Sequence, residues 1–299
     1  MRTPKVLVIG LVLVGLAGCG AAGGAGREPA GAAAAAQPPA SVSPSGPGAS
    51  AGPGSPASSG SPAGPGAPGG GAPGGGAPGT GSPAGGKKTP PDLGKVHHGG
   101  PAKSHMQTGQ KGVALTFDDG PDPVQTPRLL DLLKKNDVKA TFCLVGMRAI
   151  KHPDLVRRIV AEGHALCNHT WHHDTQLGWK KPEKIRADLE KTNNAMLAAV
   201  PNAEIKYMRA PGGNFTPRFV KAAADLGMAS IYWQVDPRDW QHTSGSSGAH
   251  REKIIREVQR NTGKGAIVLA HDNGQPDTID AFETLLPWLK KRYELIALP

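Results

Sequence analysis

Aromatic residues are scarce: five Phe, three Tyr and five Trp make up only 4% of 299 residues. With so few rings there is no basic patch interleaved with aromatics, which argues against nucleic acid as a partner. No apolar run is long enough for a membrane span. The one at the start, Val6 to Leu16, is too short to cross a bilayer as a mature helix. Large apolar side chains are almost absent from Gly20 to about Lys103, so that stretch cannot bury enough surface to offset the ordering of its backbone. Cysteine is rare as well, with Cys19, Cys143 and Cys167 the whole complement.

What is present at the N-terminus fits export. Arg2 and Lys5 precede the apolar run as in a signal peptide, here residues 1–18. Leu16-Ala17-Gly18-Cys19 resembles a lipobox, the bacterial lipoprotein cleavage site. The resemblance implies that Cys19 becomes the lipidated first residue, anchoring the protein to the outer face of the cell membrane; an ordinary secretory signal is the alternative. Residues 19–105, rich in Gly, Pro, Ala and Ser, read as a disordered tether, and Gly does not recur every third residue as collagen requires. As a flexible coil, roughly 80 such residues span about 50 Å. The basic end of the tether, with His97 and His98, reads as a solvated charged segment rather than a second metal site. The formal net charge of +10 suits an anionic neighbourhood such as lipid headgroups or a wall polyanion.

From residue 106 to 299 apolar runs and helical patterns alternate. Strands are expected at Val113 to Phe117, Ala140 to Val145, Ala165 to Cys167, Ile205 to Met208, Ser230 to Val235, Ala266 to Ala270 and Leu295 to Leu298. Helices are expected after Thr126-Pro127, His152-Pro153 and Thr216-Pro217, with threonines as N-caps. Others cover Glu183 to Val200, Arg251 to Arg260 and Thr278 to Lys291, the last interrupted by Pro287. Such alternation implies parallel strands wound with helices, closing as an irregular (β/α) barrel of about seven strands.

The chain is organised around Val113 to Asp122, where a buried strand opens onto Asp118 and Asp119 and a Gly-Pro turn. Two adjacent carboxylates repel unless a cation or a shared proton compensates them. Taken alone they are equally readable as turn residues. Further polar residues follow later strands: Asn168 to His173, Arg209 to Gly213, Asp236 to Trp240, and His271 with Asp272. In a parallel barrel these C-terminal ends share one face, where sites are assembled from several loops. His169 and His173, four apart, would point to one side of a helical turn, and Asp119 would complete a His2Asp set with room for water, as in catalytic zinc sites. His172 would face elsewhere.

These residues carry a family resemblance. TFDDG (Thr116 to Gly120), HTWHH (His169 to His173), RAPGG (Arg209 to Gly213), DPRDW (Asp236 to Trp240) and LAH (Leu269 to His271) resemble, in order, the five motifs of the NodB-homology polysaccharide deacetylases. The resemblance implies a deformed (β/α)7 barrel and one divalent metal ion, zinc first with cobalt or nickel as substitutes. It also implies hydrolysis of acetyl groups from acetylated glycans. Carried over by position, it makes Asp119, His169 and His173 the metal ligands, Asp118 the general base and His271 the general acid. Arg209 would hold Asp118, Asp239 would orient His271, the Gly212 N–H would stabilise the oxyanion, and Trp240 and Leu269 would receive the acetyl methyl.

Two departures from the family stand out. Gly212 occupies a position where relatives often carry an aromatic wall of the sugar groove. Cys143 and Cys167 fall in neighbouring strands, where an exported domain can form a disulfide; two buried free thiols are the alternative. The expected substrate is the N-acetylglucosamine of peptidoglycan, because a tethered, monomeric, extracytoplasmic enzyme meets its own wall first. Chitin or chito-oligosaccharide deacetylation and acetylxylan esterase activity are the alternatives among enzymes, and a non-catalytic glycan-binding module is the alternative outside that class.

Overall fold

A computed structural model describes residues 89–93, 99–241 and 248–299. The signal segment, Cys19, most of the tether and His97 and His98 lie outside the described residues. Seven parallel strands form one curled sheet: β1 (Val113–Asp118), β2 (Thr141–Leu144), β3 (Ala165–Asn168), β4 (Ile205–Met208), β5 (Ala229–Ser230), β6 (Ile267–His271) and β7 (Leu295–Ile296). Their order is β5-β4-β3-β2-β1-β6, with β7 against the start of β1. Helices wrap the outside, giving the deformed (β/α)7 barrel that the alternation implies. They are α1 (Gln125–Lys135), α2 (Gly146–Lys151), α3 (Pro153–Ala161), α4 (Pro182–Ala199), α5 (Pro217–Asp225), α6 (Gly248–Asn261) and α7 (Pro276–Lys290).

All six residues of β1 are buried, as expected of a central parallel strand covered on both faces. Alternation then decides what faces what. Leu115 and Phe117 join Phe142, Leu144, Val268 and Ala270 in the core beneath the helices, whereas Ala114 belongs to a separate cluster with Cys143, Cys167, Tyr207 and Ile267. Leu129, Leu130 and Leu133 of α1 are fully buried in the first of these, and each such side chain contributes about 1.5–3 kcal/mol of transfer free energy.

Several elements differ from the sequence-based expectations. β5 is cut short because the chain changes partner: Ile231 bridges His105, and Val235 bridges Val268 of β6. Tyr232 N–H donates to the His105 carbonyl and Leu269 N–H to that of Val235. The seam between β5 and β6 is thus filled by segment 105–108, whose Thr108 N–H donates to Gly265. The folded unit accordingly reaches further towards the N-terminus than residue 106. Leu93 is only 2% exposed and packs with Ala114, Cys143 and Ile267, because one large side chain in an otherwise small-residue stretch is enough to dock it.

Thr126 is not an N-cap. Helix α1 starts at Gln125, and Asp122 Oδ1 accepts from the Val124 and Gln125 N–H groups instead, while Thr126 sits in the first turn. Thr216 does cap α5, accepting from Phe219 N–H. Helix α2, not anticipated, follows β2 directly. Helix α7 runs unbroken through Pro287. Pro287 and Glu283, whose carbonyl the proline leaves free, are both exposed, so the group is not sealed in the core.

Candidate active site

The inner face of the barrel leads straight to the mouth. Counting by twos from residues of the inner cluster gives Ala114, Thr116, Asp118 on β1; Cys167, His169 after β3; Tyr207, Arg209 after β4; and Ile267, Leu269, His271 on β6. Parallel register sets Asp118 opposite both Cys143 and His271. Asp119 is one residue out of phase and reaches the same mouth with a left-handed backbone, φ 76°, a costly conformation for a non-glycine residue that clusters at functional sites.

Arg209 is completely buried. Its Nη1 donates to Asp118 Oδ1 at 2.7 Å and to Thr116 Oγ1 at 2.8 Å, and its Nη2 donates to the Tyr232 carbonyl at 2.9 Å. Beside this pair, Asp119 Oδ1 lies 3.3 Å from Nε2 of both His169 and His173. His169 Nδ1 is 2.9 Å from the Arg209 carbonyl, which fixes the tautomer with Nδ1–H donating and leaves the Nε2 lone pair facing the site. The two imidazoles do not come together on a helical turn: residues 169–173 are irregular, with Thr170 at φ 66° and His173 at φ 57°. Bends in the loop supply the convergence that the spacing alone attributes to a helix.

Across the mouth His271 Nδ1 pairs with Asp239 Oδ1 at 2.8 Å, while Asp239 Oδ2 accepts from His271 N–H at 2.8 Å and Thr278 Oγ1 at 2.7 Å. Burial opposes a charge on His271, but the Asp239 carboxylate outweighs it and the pKa is pushed up to about 9. Burial likewise opposes ionisation of Asp119, yet His169 and His173 hold its carboxyl well below the usual range. Cys143 and Cys167 face each other in register and are joined as a disulfide with Cα atoms 4.1 Å apart, tying the strand that precedes His169 to its neighbour.

Asp118, Asp119, His169, His173, Gly212, Trp240, Leu269 and His271 line one cavity of about 300 Å³. Arg209 and Asp239 stand behind it and reach it through Asp118 and His271. Gly213 and Asp236, given no individual role by the motifs that contain them, also line it, as does Trp233, which sequence reasoning missed. Gly213 has φ 70°, and a Cβ there would lie 2.8 Å from the Trp233 and Tyr232 rings. The glycine therefore lets Trp233, stacked on Tyr232 at 3.8 Å, reach the cavity. The aromatic wall that Gly212 does not provide comes from Trp233 and from Trp240, which is 46% exposed.

Asp272, placed with His271 after the sixth strand but given no role from the sequence, stands behind the site. It is fully buried, takes a 2.5 Å hydrogen bond from Thr126 Oγ1, and would meet a Cβ on Gly120 at 2.5 Å. Burial, together with the charges of Asp119, Asp118 and Asp122, raises its pKa to about 7. Its adjacency to His271 was the only signal in the sequence.

One donor atom each from Asp119, His169 and His173 lies within 4.8 Å of the others. Asp119 Oδ1 is buried without a hydrogen-bond partner. An orphaned carboxylate oxygen 3.3 Å from the Nε2 atoms of two imidazoles is the donor set of a divalent cation, so these residues fit one.

Fold and site together define a deformed (β/α)7 barrel with a His2Asp cluster, an Arg-held carboxylate and an Asp-held imidazole at the strands' C-terminal ends. A family model described as polysaccharide deacetylase matches residues 105–231. A chitooligosaccharide deacetylase of Bradyrhizobium sp. (strain ANU 289) is 36% identical over 206 residues, covering 64% of this chain and 91% of that protein. A peptidoglycan-N-acetylglucosamine deacetylase of Bacillus cereus is 36% identical over 187 residues, covering 61% and 84%. The crystal structure of a CE4 family pseudoenzyme from Bacillus anthracis superimposes with a TM-score of 0.57 at 30% identity, covering 64% of this chain and 66% of that one. The chain belongs to the polysaccharide deacetylase family.

Proposed function

We propose that this protein is a divalent-metal-dependent hydrolase that removes N-acetyl groups from cell-wall glycan, foremost the N-acetylglucosamine of peptidoglycan. The observation that carries the reading is the convergence of an Arg-paired carboxylate, a His2Asp set and an Asp-paired imidazole on one cavity. A binding module would need none of the three to be complete.

Asp119, His169 and His173 would hold the ion, with zinc the first choice and cobalt or nickel as substitutes. When bound, a divalent cation lowers the pKa of a coordinated water from 15.7 to about 7, making a nucleophile available at neutral pH. Asp118, oriented by the 2.7 Å bond from Arg209 Nη1, would take the proton of the attacking water. The backbone N–H of Gly212 meets the developing oxyanion, and Leu269 and Trp240 accommodate the acetyl methyl. His271, charged through Asp239, delivers a proton to the departing amine, a step worth typically ~10²–10⁴ in rate. Acetate and a glycan with a free amine result.

The choice of peptidoglycan rests on the N-terminal segment: an export signal, lipid on Cys19 and a long tether would place the domain extracytoplasmically, held to the membrane and reaching the wall. The likeness to chitooligosaccharide deacetylases favours a second reading in which the same chemistry acts on chito-oligosaccharides. Acetate release by the full chain, stripped of metal and resupplied with zinc or cobalt, separates them: release from peptidoglycan is expected, and release confined to chito-oligosaccharides moves the substrate. A folded, metal-loaded protein inert on both, and on acetylated xylan, sinks the enzyme reading.

The acid role of His271 has a pH signature. The acid must be protonated, and with a pKa of about 9 it stays so at neutral pH and loses its proton as the pH rises through that value. Asp239→Asn removes the carboxylate responsible, so the pKa falls back towards the ordinary 6.5. The alkaline limb of kcat is expected to move to lower pH by roughly one to two units. An unmoved limb would take His271 out of the acid role.

A further inference from the structure

Asp119 and His173 also line a second cavity, of about 490 Å³. Its walls carry Arg148 and Lys151 of α2 with His152 and His172, and Asp119 is the sole carboxylate among its lining residues. Asp119 Oδ1 lies 3.3 Å from Nε2 of His169 and of His173, and a cation held there would take up its charge. Among the described residues neither Arg148 nor Lys151 pairs with a carboxylate, whereas nearby Asp174 is taken by Lys180. The active-site cavity, which shares Asp119 and His173 with it, is different in kind, bounded by Trp233, Trp240 and Asp236. A ligand lying across the His2Asp set would therefore have an aromatic wall at one end and a basic one at the other.

We infer that the cavity bounded by Arg148 and Lys151 is a subsite for a carboxylate-bearing substituent on the sugar next to the one being deacetylated. The inference rests on the deacetylase reading and names its substrate class: a glycan in which N-acetylated sugars alternate with sugars bearing an acidic ether or peptide. Arg148 is half-buried, its fork suits bidentate contact with a carboxylate, and Lys151 adds a point charge at the rim. A neutral chito-oligosaccharide offers these cations nothing, and a residue that is carboxylated sets both the direction and the register of the chain over the metal ligands. Phosphate groups of wall polymers share the anionic chemistry, and the test separates the two sources.

The test compares the zinc-supplied full chain with the Arg148→Ala/Lys151→Ala double variant on three substrates. These are peptidoglycan fragments with free carboxylates, the same fragments amidated at those carboxylates, and neutral chito-oligosaccharides of matched length. The unaltered chain is expected to favour the acidic fragments over the amidated ones by roughly tenfold in kcat/KM, through KM, with the advantage shrinking at high salt. In the double variant that preference should vanish while chito-oligosaccharide turnover stays unchanged. Equal turnover of acidic and amidated fragments by the unaltered chain, or a preference that survives the double substitution, overturns the inference. Competition by a glycerol-phosphate polymer without any effect of amidation also overturns it, in favour of a phosphate ligand. If no substrate is hydrolysed by the unaltered chain, the deacetylase reading fails instead. Calorimetric binding of the acidic fragment to the two proteins then decides the subsite: tenfold weaker binding by the variant upholds it, and equal binding ends it.

Discussion

Asp118→Asn is expected to lower kcat by a factor of ~10²–10⁴, the usual worth of a positioned general base, and to leave the metal stoichiometry unchanged. The amide has the shape of the carboxylate and its oxygen can still accept from Arg209 Nη1, now 2.7 Å from Asp118 Oδ1, so the geometry should persist. What disappears is the charge that takes a proton. The same substitution leaves the guanidinium of Arg209, completely buried, without its counter-charge. Removing one member of a buried pair costs up to about 3–5 kcal/mol, moderated here by the remaining bonds to Thr116 and Tyr232. A lower Tm with intact metal content is therefore part of the expected result. Activity near that of the unaltered protein would show that Asp118 is not the base.

His169→Ala should abolish metal binding and activity together. His169 is 2% exposed and is oriented by the Arg209 carbonyl, so neither water nor a neighbouring side chain can replace its nitrogen without rebuilding the loop. Asp119 would keep only His173 opposite it, and a two-residue set is a poor site for a zinc ion that normally keeps three protein ligands. Elemental analysis after dialysis against zinc reads the outcome directly. Full stoichiometry in the variant would remove His169 from the ligand set, and retained metal with lost turnover would assign it a different role. Comparison with Asp118→Asn is informative because the two variants should separate binding from chemistry.

Much of this arrangement was legible before any coordinates. Strand runs with polar residues just beyond their ends told where the mouth of the barrel would be, since a period of two puts Asp118, His169, Arg209 and His271 on the same face as the inner-cluster residues two or four positions before them. Less was legible where the chain departs from that period. The loop from His169 to His173 is bent by residues with positive φ, which spacing cannot distinguish from a helical turn. Thr126 carried the pattern of an N-cap, yet the helix starts before it with Val124 at the N-cap, and the Asp122 carboxylate accepts from the Val124 and Gln125 N–H groups. This freed Thr126 to bond Asp272, a residue 146 positions away.

The sequence by itself determined the alternation of strands and helices apart from α2, the family, and the motif side chains that gather at the barrel mouth, because those follow from local periodicity and from motifs whose chemistry is written in residue type. Only the tertiary structure decided that segment 105–108 fills the seam between β5 and β6, that Trp233 and Trp240 line the cavity where Gly212 offers no ring, and that Arg148 and Lys151, without a carboxylate partner among the described residues, share a cavity with Asp119 and His173. Each of these depends on contacts between distant segments. The free energy of such contacts is set by which surfaces happen to fit and exclude water, and no local pattern encodes that fit.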